Sequence, residues 1–149
     1  MADKKVKVFL TVAIIAILVG IVFITLNSAK QVRETTDAQR SSDVNAILDA
    51  VWQYTIDNSG TFPSGISSSS YKVLGINGSA CNSTCTAQIT DPACLDLSAE
   101  LVPEYLVAMP YDPTSGNSGN TDYYIGKTGN RITVGSCDLE QETSIEVQR

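Results

Sequence analysis

The chain has 149 residues, 43% of them hydrophobic, a net charge of −6, four cysteines and no histidine. Ten basic residues against sixteen acidic ones argue against nucleic acid, which needs clustered Lys and Arg, and the lack of histidine removes the commonest general base. From residue 41 onward four cations face thirteen acids, a balance of −9 that suits an exposed, soluble region kept off anionic surfaces.

The N-terminal part is dominated by residues 8–26, VFLTVAIIAILVGIVFITL, a run of 19 residues without a charge that begins at Val8 and ends at Leu26. As a helix it rises about 28 Å, the thickness of a bilayer's hydrocarbon core. The run predicts a membrane anchor in contact with lipid, with Gly20 as a point of close packing or bending. Lys4, Lys5 and Lys7 precede it and Asp3 is the only acid there, so the N-terminus is expected in the cytoplasm and the remainder outside. A cleaved secretory signal is the competing reading. The run exceeds an ordinary signal's apolar region, and Asn27-Ser28-Ala29 puts Asn where cleavage wants a small apolar residue.

No Pro or Gly interrupts residues 21–59, so the helix is expected to continue to about residue 58. Val44, Ile47, Leu48, Val51 and Thr55 recur at helical spacing and mark one buried face, flanked by Trp52 and Tyr54. Residues 28–42 are polar nearly all round, which reads as a solvated stem or an assembly surface. Asn58-Ser59-Gly60 followed by Pro63 ends the helix.

Residues 59–104 have loop composition, with a short strand at Tyr71-Lys72-Val73-Leu74 and a helical turn between Asp96 and Leu101. Cys81, Cys85 and Cys94 lie here, and Cys137 lies further on. An even count in an oxidising compartment predicts two disulfides, in any of three connectivities. A four-cysteine zinc site fits less well, because no second short Cys pair exists. Asn82-Ser83-Thr84 matches the glycosylation sequon.

In residues 105–149, Met109-Pro110-Tyr111-Asp112-Pro113 is a rigid bend and residues 114–121, TSGNSGNT, form a polar loop. The β-type runs 122–126 and 131–135 flank a turn and predict a hairpin, with residues 144–147 as a further edge strand. The chain therefore reads as α+β: a long N-terminal helix, membrane anchor continuing into amphipathic stem, packed on a small antiparallel sheet. The expected division is a cytoplasmic tip and anchor, 1–27, and an exported domain, 28–149. The latter comprises a stem, 28–58, a disulfide-bearing loop, 59–104, and a sheet region, 105–149. No catalytic constellation stands out, with neither Gly-x-Ser-x-Gly nor a Gly-rich phosphate loop, so an enzyme is not expected. Asp112, Asn117, Asn120 and Asp122 gather hard oxygen donors in one Gly-containing loop and are candidate calcium ligands. The same residues are also the ordinary currency of turns.

Three stretches together resemble type IV pilins and the pseudopilins of type II secretion: AIIAIL in the apolar run, AILDAVWQYTIDNSGTFPSG at the helix end, and LVPEYLVAMPYDPTSG before the sheet. The resemblance covers most of the chain. It implies a pilin-like fold and a structural subunit whose anchors bundle with other pilin-like subunits into a pilus or pseudopilus, and it adds weight to calcium in the 112–122 loop. One feature departs from it. The family's Gly-Phe-Thr-Leu-x-Glu processing motif is absent; Ala2-Asp3-Lys4-Lys5-Val6-Lys7 stands there, and Lys7 occupies the place of the glutamate. An anchored binding module that presents an acidic head without polymerising is the alternative.

Overall fold

The structure, a computed structural model, describes residues 2–78, 81 and 85–149, with the side chains of residues 2 and 20–27 outside that description. Asn82-Ser83-Thr84, Gly20 and the second part of the apolar run therefore lie outside the described residues or side chains. The chain is α+β and divides into two compact units, Met1–Thr35 and Thr36–Arg149.

The first unit is helix, the N-terminal part of α1 (Ala2–Asp57). Its described large apolar side chains are exposed, Phe9 by 81% and Ile17 by 64%. Thr11 turns its hydroxyl back on the helix, donating to the Lys7 carbonyl at 3.0 Å and the Val8 carbonyl at 2.9 Å. This satisfies the hydroxyl without a partner outside the helix. Among the described residues no helix is long and apolar enough to cross a membrane.

In the second unit, α1 packs on a four-stranded antiparallel sheet in the order β1-β2-β3-β4. The strands are β1 (Lys72–Val73), β2 (Tyr123–Thr128), β3 (Arg131–Ser136) and β4 (Glu146–Gln148), and a short helix, α2 (Ser98–Leu101), precedes β2. The predicted stripe Val44, Ile47, Leu48, Val51 and Thr55 is buried. Its apolar members meet Tyr123, Ile125, Ile132 and Val134, the side chains that strand alternation puts on one sheet face. The helix ends as its sequence requires. Gly60 N donates to Thr55 O at 2.7 Å and Asn58 N to Tyr54 O at 2.9 Å, while Ser59 takes a left-handed φ of 57°.

The other face carries the second core. Val73 and Tyr124 pack with Cys81 and Cys137, and Tyr71, Cys85 and Cys94 lean on them. Two strand glycines make room. A Cβ on Gly135 would stand 2.3 Å from the Tyr124 ring, and one on Gly126 2.6 Å from the Tyr71 ring. The rings thus lie across neighbouring strands, and Tyr124 reaches Glu146, donating its hydroxyl at 2.8 Å. The disulfides are Cys81–Cys94 and Cys85–Cys137, which selects one of the three connectivities.

Three details differ from the sequence reading. The sheet is not confined to residues 105–149, because β1 comes from the expected loop and pairs Lys72 with Ile125. β1 is only two residues long, and parallel bridges Tyr71–Thr90 and Leu74–Leu95 cover its outer side. Finally, residues 28–42 are not solvated throughout: Asp37 and Arg40 are buried.

Candidate functional site

The most concentrated chemistry in the second unit is a buried ionic cluster joining three distant segments. Asp37 and Arg40 stand one turn apart on α1 and continue its buried stripe backwards, 37-40-44-47-51, with apolar residues replaced by charges. Asp112 comes from the bend between Pro110 and Pro113. Its carbonyl accepts Gly116 N at 3.1 Å, and its own N–H donates to Thr121 O at 2.9 Å. Gly116 is required there, since a Cβ would stand 2.5 Å from Asp112 N. The third segment is the backbone of residues 140–142, just before β4.

Arg40 is 1% exposed, Asp37 4% and Asp112 0%. Arg40 Nε donates to Asp112 Oδ2 at 2.5 Å, Nη2 to Asp112 Oδ1 at 3.2 Å and to Thr114 Oγ1 at 2.9 Å, and Nη1 to Asp37 Oδ1 at 2.9 Å. Each carboxylate also caps backbone. Asp112 Oδ1 accepts Thr114 N at 2.8 Å and Ser115 N at 3.1 Å. Asp37 accepts Glu140 N at 3.1 Å, Gln141 N at 2.7 Å and Glu142 N at 3.1 Å. Burying an ion pair is costly unless the remaining donors and lone pairs are used; here Arg40 makes four hydrogen bonds and the two carboxylates accept five backbone N–H groups.

Burial pushes the Asp112 carboxyl up, but the Arg40 guanidinium and the Thr114 and Ser115 donors outweigh it and hold the group at about 2. The same contest, won by the backbone N–H groups of 140–142 and Arg40, keeps Asp37 below its ordinary value. Burial pulls Arg40 down, and its two carboxylates more than reverse this. Beside the cluster, Asp43 accepts the Tyr123 hydroxyl at 2.9 Å. Burial and the nearby Asp112 charge raise the Asp43 carboxyl, and burial together with Asp43 raises the Tyr123 hydroxyl.

Of the four calcium candidates, Asp112, Asn117 and Asn120 use side-chain oxygens on Arg40 or on the backbone of the loop itself. Asp112 is bound to Arg40 and to its own turn. Asn117 Oδ1 accepts Gly119 N at 2.8 Å and Asn120 N at 3.1 Å, and Asn120 Oδ1 accepts Asp122 N at 3.1 Å. Asp122 is buried with a φ of 58° at the entry to β2. Among the described residues no group of three or more Asp, Glu, Cys or His side chains is placed to hold a metal ion. The four cysteines are consumed as disulfides, as the reading of an oxidising compartment expected. Ser69 and Lys72 have Ser-x-x-Lys spacing, but Ser69 lies in the loop entering β1 and Lys72 in β1 itself, rather than on a helix.

The sequence reading missed Asp37 and Arg40. The signal was available: the stripe of α1 extends through them at unbroken helical spacing, with an unplaced acid in the Pro-x-Asp-Pro bend to receive the arginine. The cluster fastens α1 to the 110–116 turn and to the 140–142 backbone. Comparison with protein-family models, curated proteins and solved structures finds no match.

Proposed function

We propose that this chain is a structural, pilin-like subunit: a membrane-anchored helix carrying an acidic, disulfide-bonded head, able to assemble with like subunits through its apolar N-terminal part. The observation that carries this reading is the contrast within α1. Between residues 6 and 19 its large apolar side chains are exposed, whereas residues 44–51 of the same helix bury Val44, Ile47, Leu48 and Val51 in an α+β core. Uncovered apolar surface on that scale calls for lipid or for other helices. The two disulfides fit an exported head. The resemblance of the three quoted stretches to pilins and pseudopilins points the same way.

Lys7 favours a second reading, an anchored module that never polymerises. It stands where the resembled family has a glutamate, and a bundle of like-charged ammonium groups repels. Shearing intact cells and following the chain separates the two. Recovery in a sheared filament fraction supports the subunit reading; retention in the membrane fraction whatever subunits are co-expressed supports the anchored module. Recovery as freely secreted protein contradicts both.

A further inference from the structure

β4 (Glu146–Gln148) is the last strand of the sheet, and its backbone is half used. Toward β3, Ile145 O accepts Ser136 N at 2.9 Å, and Arg149 and Ile132 exchange two hydrogen bonds at 2.7 and 3.0 Å. Antiparallel alternation then points the N–H and C=O groups of Glu146 and Gln148 away from β3. Among the described residues no backbone group bonds to them, and both residues are exposed. The strand has neither Pro nor Lys, the residues that ordinarily blunt an edge.

Charge singles out the same edge. Of the four cations from residue 41 onward, Arg131 and Arg149 lie here, in a region whose balance is −9; Arg149 is paired with Asp49 of α1 at 2.7 Å, which leaves Arg131 as the cation for this edge. Arg131 Nη1 donates to Gln148 Oε1 at 3.2 Å, so its guanidinium reaches the outer strand.

We propose that this edge pairs, antiparallel and about a two-fold axis, with β4 of a second copy of the chain. Outward-facing residues must meet outward-facing residues. In the two-fold register Glu146 therefore faces the second copy's Gln148, and Val147 faces its counterpart. Arg131, held at Gln148, then lies beside the second copy's Glu146, and symmetry repeats the pair. Glu146 already points to that face, since it accepts the Tyr124 hydroxyl there. The pairing makes about four backbone hydrogen bonds and two Arg–Glu contacts, with no like charges opposed. Sliding the register by two residues one way sets Glu146 against Glu146, so charge selects the first register. A generic acidic strand would satisfy Arg131 but would oppose Glu146; a second copy satisfies both. The inference does not depend on assembly through the apolar part of α1.

Sedimentation equilibrium of the full chain in detergent tests it, with circular dichroism to confirm that each variant is folded. The wild type is expected to form a dimer whose dissociation follows concentration. Gln148→Pro removes an outward N–H without removing a backbone bond to β3, though it also loses the side-chain bonds to Thr133 and Arg131, which Gln148→Ala loses alone; the proline is expected to weaken the dimer at least about tenfold more than the alanine. Glu146→Arg and Arg131→Glu are each expected to weaken it about tenfold, and the double variant to return within about threefold of wild type. Since the double variant still lacks the Tyr124 acceptor, recovery isolates the contact between copies. A wild type that is monomeric throughout, a dimer no weaker in Gln148→Pro than in Gln148→Ala, or a double variant no better than the singles overturns the proposal.

Discussion

Arg40 decides the fate of two carboxylates, each of which holds a turn of backbone. Arg40→Met keeps most of the side-chain volume but leaves Asp37 and Asp112 buried without their cation. The expected loss is about 3–5 kcal/mol by urea unfolding. Replacing all three residues with apolar ones should not restore stability, as it can for a simple buried pair. The carboxylates cap five backbone N–H groups, of Thr114, Ser115, Glu140, Gln141 and Glu142, and these would be orphaned. The pH dependence follows from the direction of the shifts. Asp37 and Asp112 are depressed below the ordinary 3.8, Asp112 to about 2, so their contribution is complete above that value and is lost as pH falls toward 2. The melting temperature of the wild type should therefore drop between about pH 4 and pH 2, and Arg40→Met should flatten that drop. Ser59 is a separate case. It holds the left-handed position that closes α1 with a φ of 57°, so Ser59→Gly should stabilise the head by about 0.5–1 kcal/mol in the same unfolding measurement.

Among the elements, legibility in the sequence tracked how local the determinant was. The stripe of α1 was readable because 3.6-residue periodicity is written along one segment, and the β2–β3 hairpin because Gly129-Asn130 lies between two β-type runs. Gly129, with a φ of 61°, takes the first central position of that turn. β1 was only partly readable. Two residues carry no period, and its place is set by Ile125 on one side and by the bridges to Thr90 and Leu95 on the other. Arg40 was misread for a related reason: a charge reads as solvent-facing until a partner 72 residues away is known. The disulfides were readable as a pair but not as a pairing. Cys81–Cys94 closes 13 residues and Cys85–Cys137 closes 52, so the second constrains the unfolded chain more. Replacing Cys85 and Cys137 by Ala should cost about 1 kcal/mol more than replacing Cys81 and Cys94. Alkylation without reductant should leave the mass of the chain unchanged.

For the whole molecule, the governing contrast is between an uncovered apolar helix segment and an acidic head. Lipid gives apolar helices no hydrophobic reason to associate, so packing and polar contacts must hold any bundle together. Lys7 is the obstacle. At a membrane surface its ammonium reaches headgroups at little cost, but inside a bundle it needs an acid beside it. Lys7→Glu should leave the folding of residues 36–149 unchanged, because they form a separate compact unit, and should increase the chain recovered in filaments. The most direct test of the structural-subunit account is the intact mass of every chain in the sheared filament fraction. The account predicts either a product cut beyond Lys7 or an uncut chain together with a second subunit that supplies the acid. Long filaments made only of the uncut chain, with Lys7 present and no acidic partner, would contradict it.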